Sequence, residues 1–246
     1  MKTNRLAVVS TAFVAACALV SSRAHAQATS DSPSVPTGSL SVSRTLVKAG
    51  SQPMLTWSIN YPSIIENYVS ISPPGTICPK ENLVCDVRIL GAGVTTKSST
   101  NTITFVRTAG LMRWNGVSTW DTIFDGKNTD PIVQQQGIIK SATVAKNQPM
   151  DFGGKYYWNS AWSTFYNSLS GDNVRALVNG DLPPSNVPDY NAPSLESFLR
   201  PYLDASGRVR IGPMDVIIFM ELTHTDKSNI GYDLQDLVLL VTFRKP

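Results

Sequence analysis

Two runs near the C-terminal end dominate the hydrophobic pattern of the chain, residues 214–222 and 233–243. Both are rich in β-branched and aromatic residues, and both are apolar at successive rather than alternate positions. Strands of that kind are covered on both faces, so the pattern predicts two central strands joined by residues 223–232. Neither run reaches the roughly 20 residues that a helix needs to cross a bilayer.

Elsewhere apolar and polar positions alternate over short stretches: residues 40–43, 53–59 (with Trp57 inward), 68–72, 84–90, 102–106, 138–144 and 174–178. Pro73-Pro74-Gly75 and Asn179-Gly180-Asp181 supply turns between them. Asn115-Gly116, flanked by Met112-Arg113-Trp114 and by residues 118–124, is the strongest short hairpin signal in the chain. One short helix is expected near 194–200, capped by Ser194, with Leu195, Phe198 and Leu199 on one face and Pro201 limiting it.

The fold class that follows is mostly β, an antiparallel β-sandwich of immunoglobulin-like or jelly-roll-like kind. The expected organisation is a signal peptide over 1–26, a flexible leader over 27–38, one sandwich part over 39–110 and a second over 111–246. The boundary near 110 is soft, and a single domain stays open.

Composition changes the picture at the N-terminus. Lys2 and Arg5 precede an apolar run from Leu6 to Val20, and Ala24-His25-Ala26 places small residues where a signal peptidase reads them. Val14-Ala15-Ala16-Cys17 also has the form of a lipobox, whose use would leave a lipid-modified Cys17; either reading predicts export. Lys2, Arg5 and Arg23 are three of the 21 basic residues, so removal of 1–26 leaves 18 against 18 acidic residues. A formally neutral chain has no basic field for nucleic acid. In an exported chain Cys78 and Cys85, six residues apart, are expected to form a local disulfide.

Candidate chemistry collects in three places. Glu221, Asp226, Asp233 and Asp236 could converge around the 223–232 connection, and oxygen ligands of that kind suit calcium. The competing reading is that these carboxylates cap strand ends and accept backbone N–H groups. Trp114, Trp120, Trp158 and Trp162 lie in aromatic-dense stretches, which pack a core or present flat faces to a sugar. His224, the one histidine left after removal of 1–26, lies in a polar Thr-His-Thr-Asp connection and has no Gly-x-Ser-x-Gly nucleophile to serve. Asp204 and Asp215 have the spacing of an EF-hand loop, but Arg208 and Val209 stand where that loop needs an oxygen ligand and a glycine.

Gly231-Tyr232-Asp233-Leu234-Gln235-Asp236-Leu237-Val238 resembles the C-terminal acidic motif of some secreted bacterial β-sandwich domains, which implies calcium, although Leu234 and Gln235 depart from it. A broader resemblance rests on Leu55-Thr56-Trp57 with Tyr61-Pro62, Arg88-Ile89-Leu90-Gly91-Ala92, Asp151-Phe152-Gly153-Gly154, Leu195-Glu196-Ser197-Phe198-Leu199 and Ile211-Gly212-Pro213-Met214-Asp215-Val216. These segments resemble a family of uncharacterised exported bacterial β-sandwich proteins, which implies a shared fold and export and no particular activity. The expected function is a secreted or surface-associated, non-enzymatic module, structural or ligand-binding, with calcium as a candidate stabiliser. Its candidate partners are a cell-surface polysaccharide or protein. The alternatives are carbohydrate binding through the four tryptophans, or a secreted glycosidase using Glu221 with a nearby aspartate.

Overall fold

A computed structural model describes residues 37–42, 55–60, 62–97, 99–100, 102–169, 171–183, 200–229 and 231–246. The expected signal peptide, Cys17, most of the leader and all but the last residue of the helix expected near 194–200 lie outside the described residues. Among the described residues no helix is long and apolar enough to cross a membrane.

The protein is mostly β, with 49% of it in strands and 5% in helix, and its sheets are antiparallel, as a β-sandwich requires. Among the described residues sixteen strands occur in chain order: β1 Thr37–Val42, β2 Leu55–Asn60, β3 Val69–Ser72, β4 Thr76–Pro79, β5 Leu83–Gly91, β6 Thr95–Lys97, β7 Ile103–Phe105, β8 Arg107–Arg113, β9 Asp121–Gly126, β10 Ile138–Val144, β11 Asp151–Trp158, β12 Ala161–Trp162, β13 Tyr166–Asn167, β14 Val174–Val178, β15 Asp215–Met220 and β16 Leu237–Arg244. The first large sheet has the order β10-β5-β16-β15-β14 and the second β12-β11-β8-β9, with β13 also on β11. β5, from before residue 110, is therefore bonded between β10 and β16, from after it.

The long apolar runs are β15 and β16, paired from Asp215 with Thr242 to Phe219 with Val238. One face of each enters the main core: Val216, Ile218 and Met220 with Leu239, Val241 and Phe243 pack together with Met112, Phe124 and Phe152 of the second sheet. The other face, Ile217, Phe219 and Val238, meets Val209, Tyr232 and Leu234 in a smaller cluster. Cover on both sides is what the absence of alternation called for. The Asn115-Gly116 signal also lies at a reversal: both residues have positive φ (56° and 73°) and connect β8 to β9. A helix of one turn, α1 (Pro131–Gln134), starts with proline at its first positions, a favoured signal over too few residues to register as a period.

The expected disulfide does not form: Cys78 and Cys85 are both free thiols. Cys85 points into the main core beside Leu83 and Val87. Along β4 it is Ile77 that enters that core, so the two-residue pleat turns Cys78 to the opposite face. β4 and β5 also belong to different sheets, and closeness in sequence does not bring the two sulfurs together.

Candidate functional site

The connection between β15 and β16 folds back over three carboxyls. Each of Glu221, Asp233 and Asp236 offers an oxygen within 4.8 Å of the others'. Asp226 is elsewhere, exposed, its carboxylate closing a local turn by accepting from the Ser228 N–H and hydroxyl at 2.9 and 2.7 Å.

Glu221 is fully buried. Its Oε1 accepts from the N–H of Thr223 (3.0 Å), the Thr223 hydroxyl (2.6 Å) and the N–H of His224 (3.0 Å). Its Oε2 accepts from the N–H groups of Asp233 (2.9 Å) and Leu234 (3.3 Å). A carboxylate offers about four lone-pair sites, so these donors fill it. Asp236 Oδ2 accepts from the N–H groups of Leu222 (2.7 Å) and Thr223 (3.0 Å). Because the Thr223 hydroxyl donates to Glu221, its oxygen accepts from His224 Nδ1 at 2.7 Å, which places the ring proton on Nδ1. Asn173 Nδ2 ties the start of the connection down, donating to the carbonyls of Glu221 and His224 at 2.9 and 2.7 Å.

The electrostatics follow from burial. Desolvation, with the adjacent Glu221 carboxyl adding to it, pushes the Asp236 carboxyl well above the usual carboxylate range. Burial raises Asp233 to about 6, and the charge of Glu221 acts in the same direction. Glu221 and Asp236 are thus a buried hub of backbone acceptors, with Asp233 half-buried beside them. A glycosidase needs its two carboxyls about 5 to 9.5 Å apart with a sugar between them, and Glu221, fully buried, faces no such space.

The four tryptophans have different surroundings. Trp114 packs against the main core, with Lys140 Nζ 4.5 Å from its ring centre. Trp120 meets Phe165 edge to face (4.9 Å, 79°) and lies under Arg113 at 5.3 Å. Trp162 meets Tyr157 at 66° and has Lys155 Nζ and Arg107 Cζ over its ring at 4.7 and 5.3 Å. Trp158 is 47% exposed, and the β11–β12 pairing sets it opposite Ala161, on the other face of the ribbon from Tyr157 and Trp162.

A third buried carboxyl, Asp151, lies outside the hub and was not among the candidate residues of the sequence. Its Oδ2 accepts from Arg113 Nε at 2.9 Å, and its Oδ1 from the hydroxyls of Thr76 (2.6 Å) and Ser168 (3.0 Å). The only signal was an acid leading an Asp-Phe-Gly-Gly stretch, and its neighbours explain that stretch. A side chain at Gly153 would lie 2.6 Å from the Phe165 ring, and one at Gly154 would lie 3.0 Å from Leu222. Asp204, first in the rejected EF-hand spacing, accepts at Oδ1 from Ser206 and Arg208 and closes a turn.

No family model, no curated protein and no solved structure matches the chain. Fold and site together define a class, a β-sandwich with a buried carboxyl hub under the β15–β16 connection.

Proposed function

We propose that the chain is an exported, non-enzymatic β-sandwich module, structural or ligand-binding, in which the acids of the β15–β16 connection hold a loop in place. The observation that carries this reading is the use of Glu221: a fully buried carboxylate whose oxygens are all engaged by N–H and O–H donors of its own connection. A group so engaged has no lone pair left for a cation and no access to a substrate. Export rests on the pattern of residues 1–26.

A thermal melt of the chain lacking residues 1–26, with calcium and then with chelator, tests the reading. A ligand that binds only the folded state at about 100 times its dissociation constant adds about 2.7 kcal/mol, a visible shift. No shift is expected. A calcium-dependent rise that Asp233→Ala and Asp236→Ala abolish would make the hub a metal site and overturn the structural reading.

Carbohydrate binding keeps one supporting observation, the half-exposed Trp158 at the β11–β12 turn. Quenching of tryptophan fluorescence by a polysaccharide, lost in Trp158→Ala, would support it.

A further inference from the structure

Asn-Gly occurs twice in the chain, at 115–116 and at 179–180. In this dipeptide a thermolabile asparagine is least protected, because glycine sets no side chain beside the backbone nitrogen that attacks the carboxamide. The fold treats the two pairs differently.

Asn115 and Gly116 are both exposed, in a turn closed by the Val117 N–H on the Trp114 carbonyl at 3.2 Å. The Gly116 N–H meets no acceptor among the described residues. The Asn115 carboxamide reaches across to the end of β10. There its Nδ2 donates to the Thr143 carbonyl at 3.0 Å, and its Oδ1 accepts from the Ala145 N–H at 2.8 Å. Both bonds are exposed and compete with water, so each restrains the group by no more than about tenfold.

At the second pair the attacking nitrogen is itself engaged. Gly180 N–H donates to the carbonyl of the buried Val209 at 2.7 Å, and the Val209 N–H returns a bond to the Asp181 carbonyl at 2.9 Å. Arg208 Nη1 holds the Gly180 carbonyl at 2.8 Å, and Asn179 Oδ1 accepts from the Ile211 N–H at 2.9 Å. Freeing the Gly180 nitrogen means parting this whole strip from residues 208–211.

We propose that Asn115 is a site of spontaneous deamidation, and that of the two Asn-Gly pairs it is the one that reacts in the folded protein. The Gly116 nitrogen, its proton lost to water, bonds to Asn115 Cγ. The Cγ–Nδ2 bond breaks, and the nitrogen leaves as ammonia with a proton from water. Water then opens the cyclic imide at either carbonyl, giving aspartate or isoaspartate. Either product withdraws the N–H donor from the Thr143 carbonyl and adds a negative charge beside it. The site lies apart from the carboxyl hub and does not rest on the module reading.

The test holds the full chain folded at pH 8 and, in parallel, unfolded in urea. Peptide mass spectrometry then follows the gain of one mass unit at each asparagine and separates aspartyl from isoaspartyl products. In urea the two pairs should convert at similar rates. In the folded chain Asn115 should convert about tenfold or more faster than Asn179, and more slowly at pH 6, since only the deprotonated nitrogen attacks. Ala145→Pro removes one of the two bonds on the carboxamide and should speed conversion at Asn115 by up to about tenfold, with Asn179 unchanged. If that variant does not fold, the ratio of the two sites in the unaltered chain still decides. Equal rates in the folded chain, or Asn179 ahead, would overturn the proposal. An Asn115 intact in the folded chain after the unfolded chain has converted fully would do the same, as would no acceleration in a folded Ala145→Pro.

Discussion

Glu221→Gln changes almost nothing in size and one thing in chemistry: one oxygen acceptor becomes an NH₂ donor. Wherever the amide oxygen goes, at least two N–H groups lose their acceptor. In one orientation these belong to Asp233 and Leu234, in the other to Thr223 and His224. The side chain at 221 is fully buried, so water cannot take its place. Each unsatisfied buried donor costs about 1 to 3 kcal/mol. Against that, the carboxyl of Asp236 is relieved of an adjacent acid, which offsets part of the cost. The net loss should be about 2 to 5 kcal/mol, a large share of the roughly 5 to 15 kcal/mol that holds such a protein folded. Urea unfolding at pH 7, followed by tryptophan fluorescence, should show the midpoint falling by about 1 to 2.5 M at an m-value near 2 kcal/mol/M. Amide exchange at Asp233 and Leu234 should accelerate in parallel. A loss below about 0.5 kcal/mol with unchanged m would refute the hub as a source of stability, because surface changes do no more than that.

Stability should also fall as pH rises. Asp233 is raised from 3.8 to about 6 and Asp236 is also raised well above 3.8 by burial, so the folded state holds protons that the unfolded chain releases near pH 4. Their contribution is complete below about pH 4 and is lost as pH climbs through 6 and above, with Asp233 alone worth about 2 to 3 kcal/mol. Unfolding midpoints equal at pH 4.5 and 7.5, or a slope unchanged in Asp236→Asn, would contradict this. Thiol titration of the chain lacking residues 1–26 should find one reactive group, Cys78, in the folded protein. A second, Cys85, should appear only after unfolding, since burial shields that thiol and pushes its pKa up to about 11. No thiol in unreduced, unfolded protein would mean a disulfide after all. Gly153→Ala should cost about 1 to 3 kcal/mol in the same urea assay, because the new methyl meets both the Phe165 ring and the Tyr166 carbonyl at 2.6 Å. A neutral effect would show that the segment over the second sheet shifts freely.

Much of the fold was legible because its signals are local. The unalternating runs at 214–222 and 233–243 became β15 and β16, central and covered on both faces, since only burial on both sides tolerates apolar residues at every position. Asn115-Gly116 marked a reversal because both positions need positive φ, which few residues accept. The acids were legible as a group, since they flank the one connection that pairs these two strands.

What only the tertiary structure decided is which of these groups meet. Spacing in sequence put Cys78 near Cys85, but the pleat and membership of different sheets turned them apart. Asp226 stands in the same connection as Glu221, yet its own turn keeps it in water while Asp233 and Asp236 fold inward. The tryptophans are close in sequence, and whether their faces meet sugar or a neighbouring cation depends on strand pairing that no local pattern encodes. Asp151 needed Thr76, Arg113 and Ser168 from three separate segments before its burial made sense. The sequence by itself determined strands and turns, because backbone propensity acts residue by residue, but not every exposure: Trp57, expected inward on β2, is 77% exposed. The partners of each polar group came from contacts between distant segments, which exist only once the two sheets have packed.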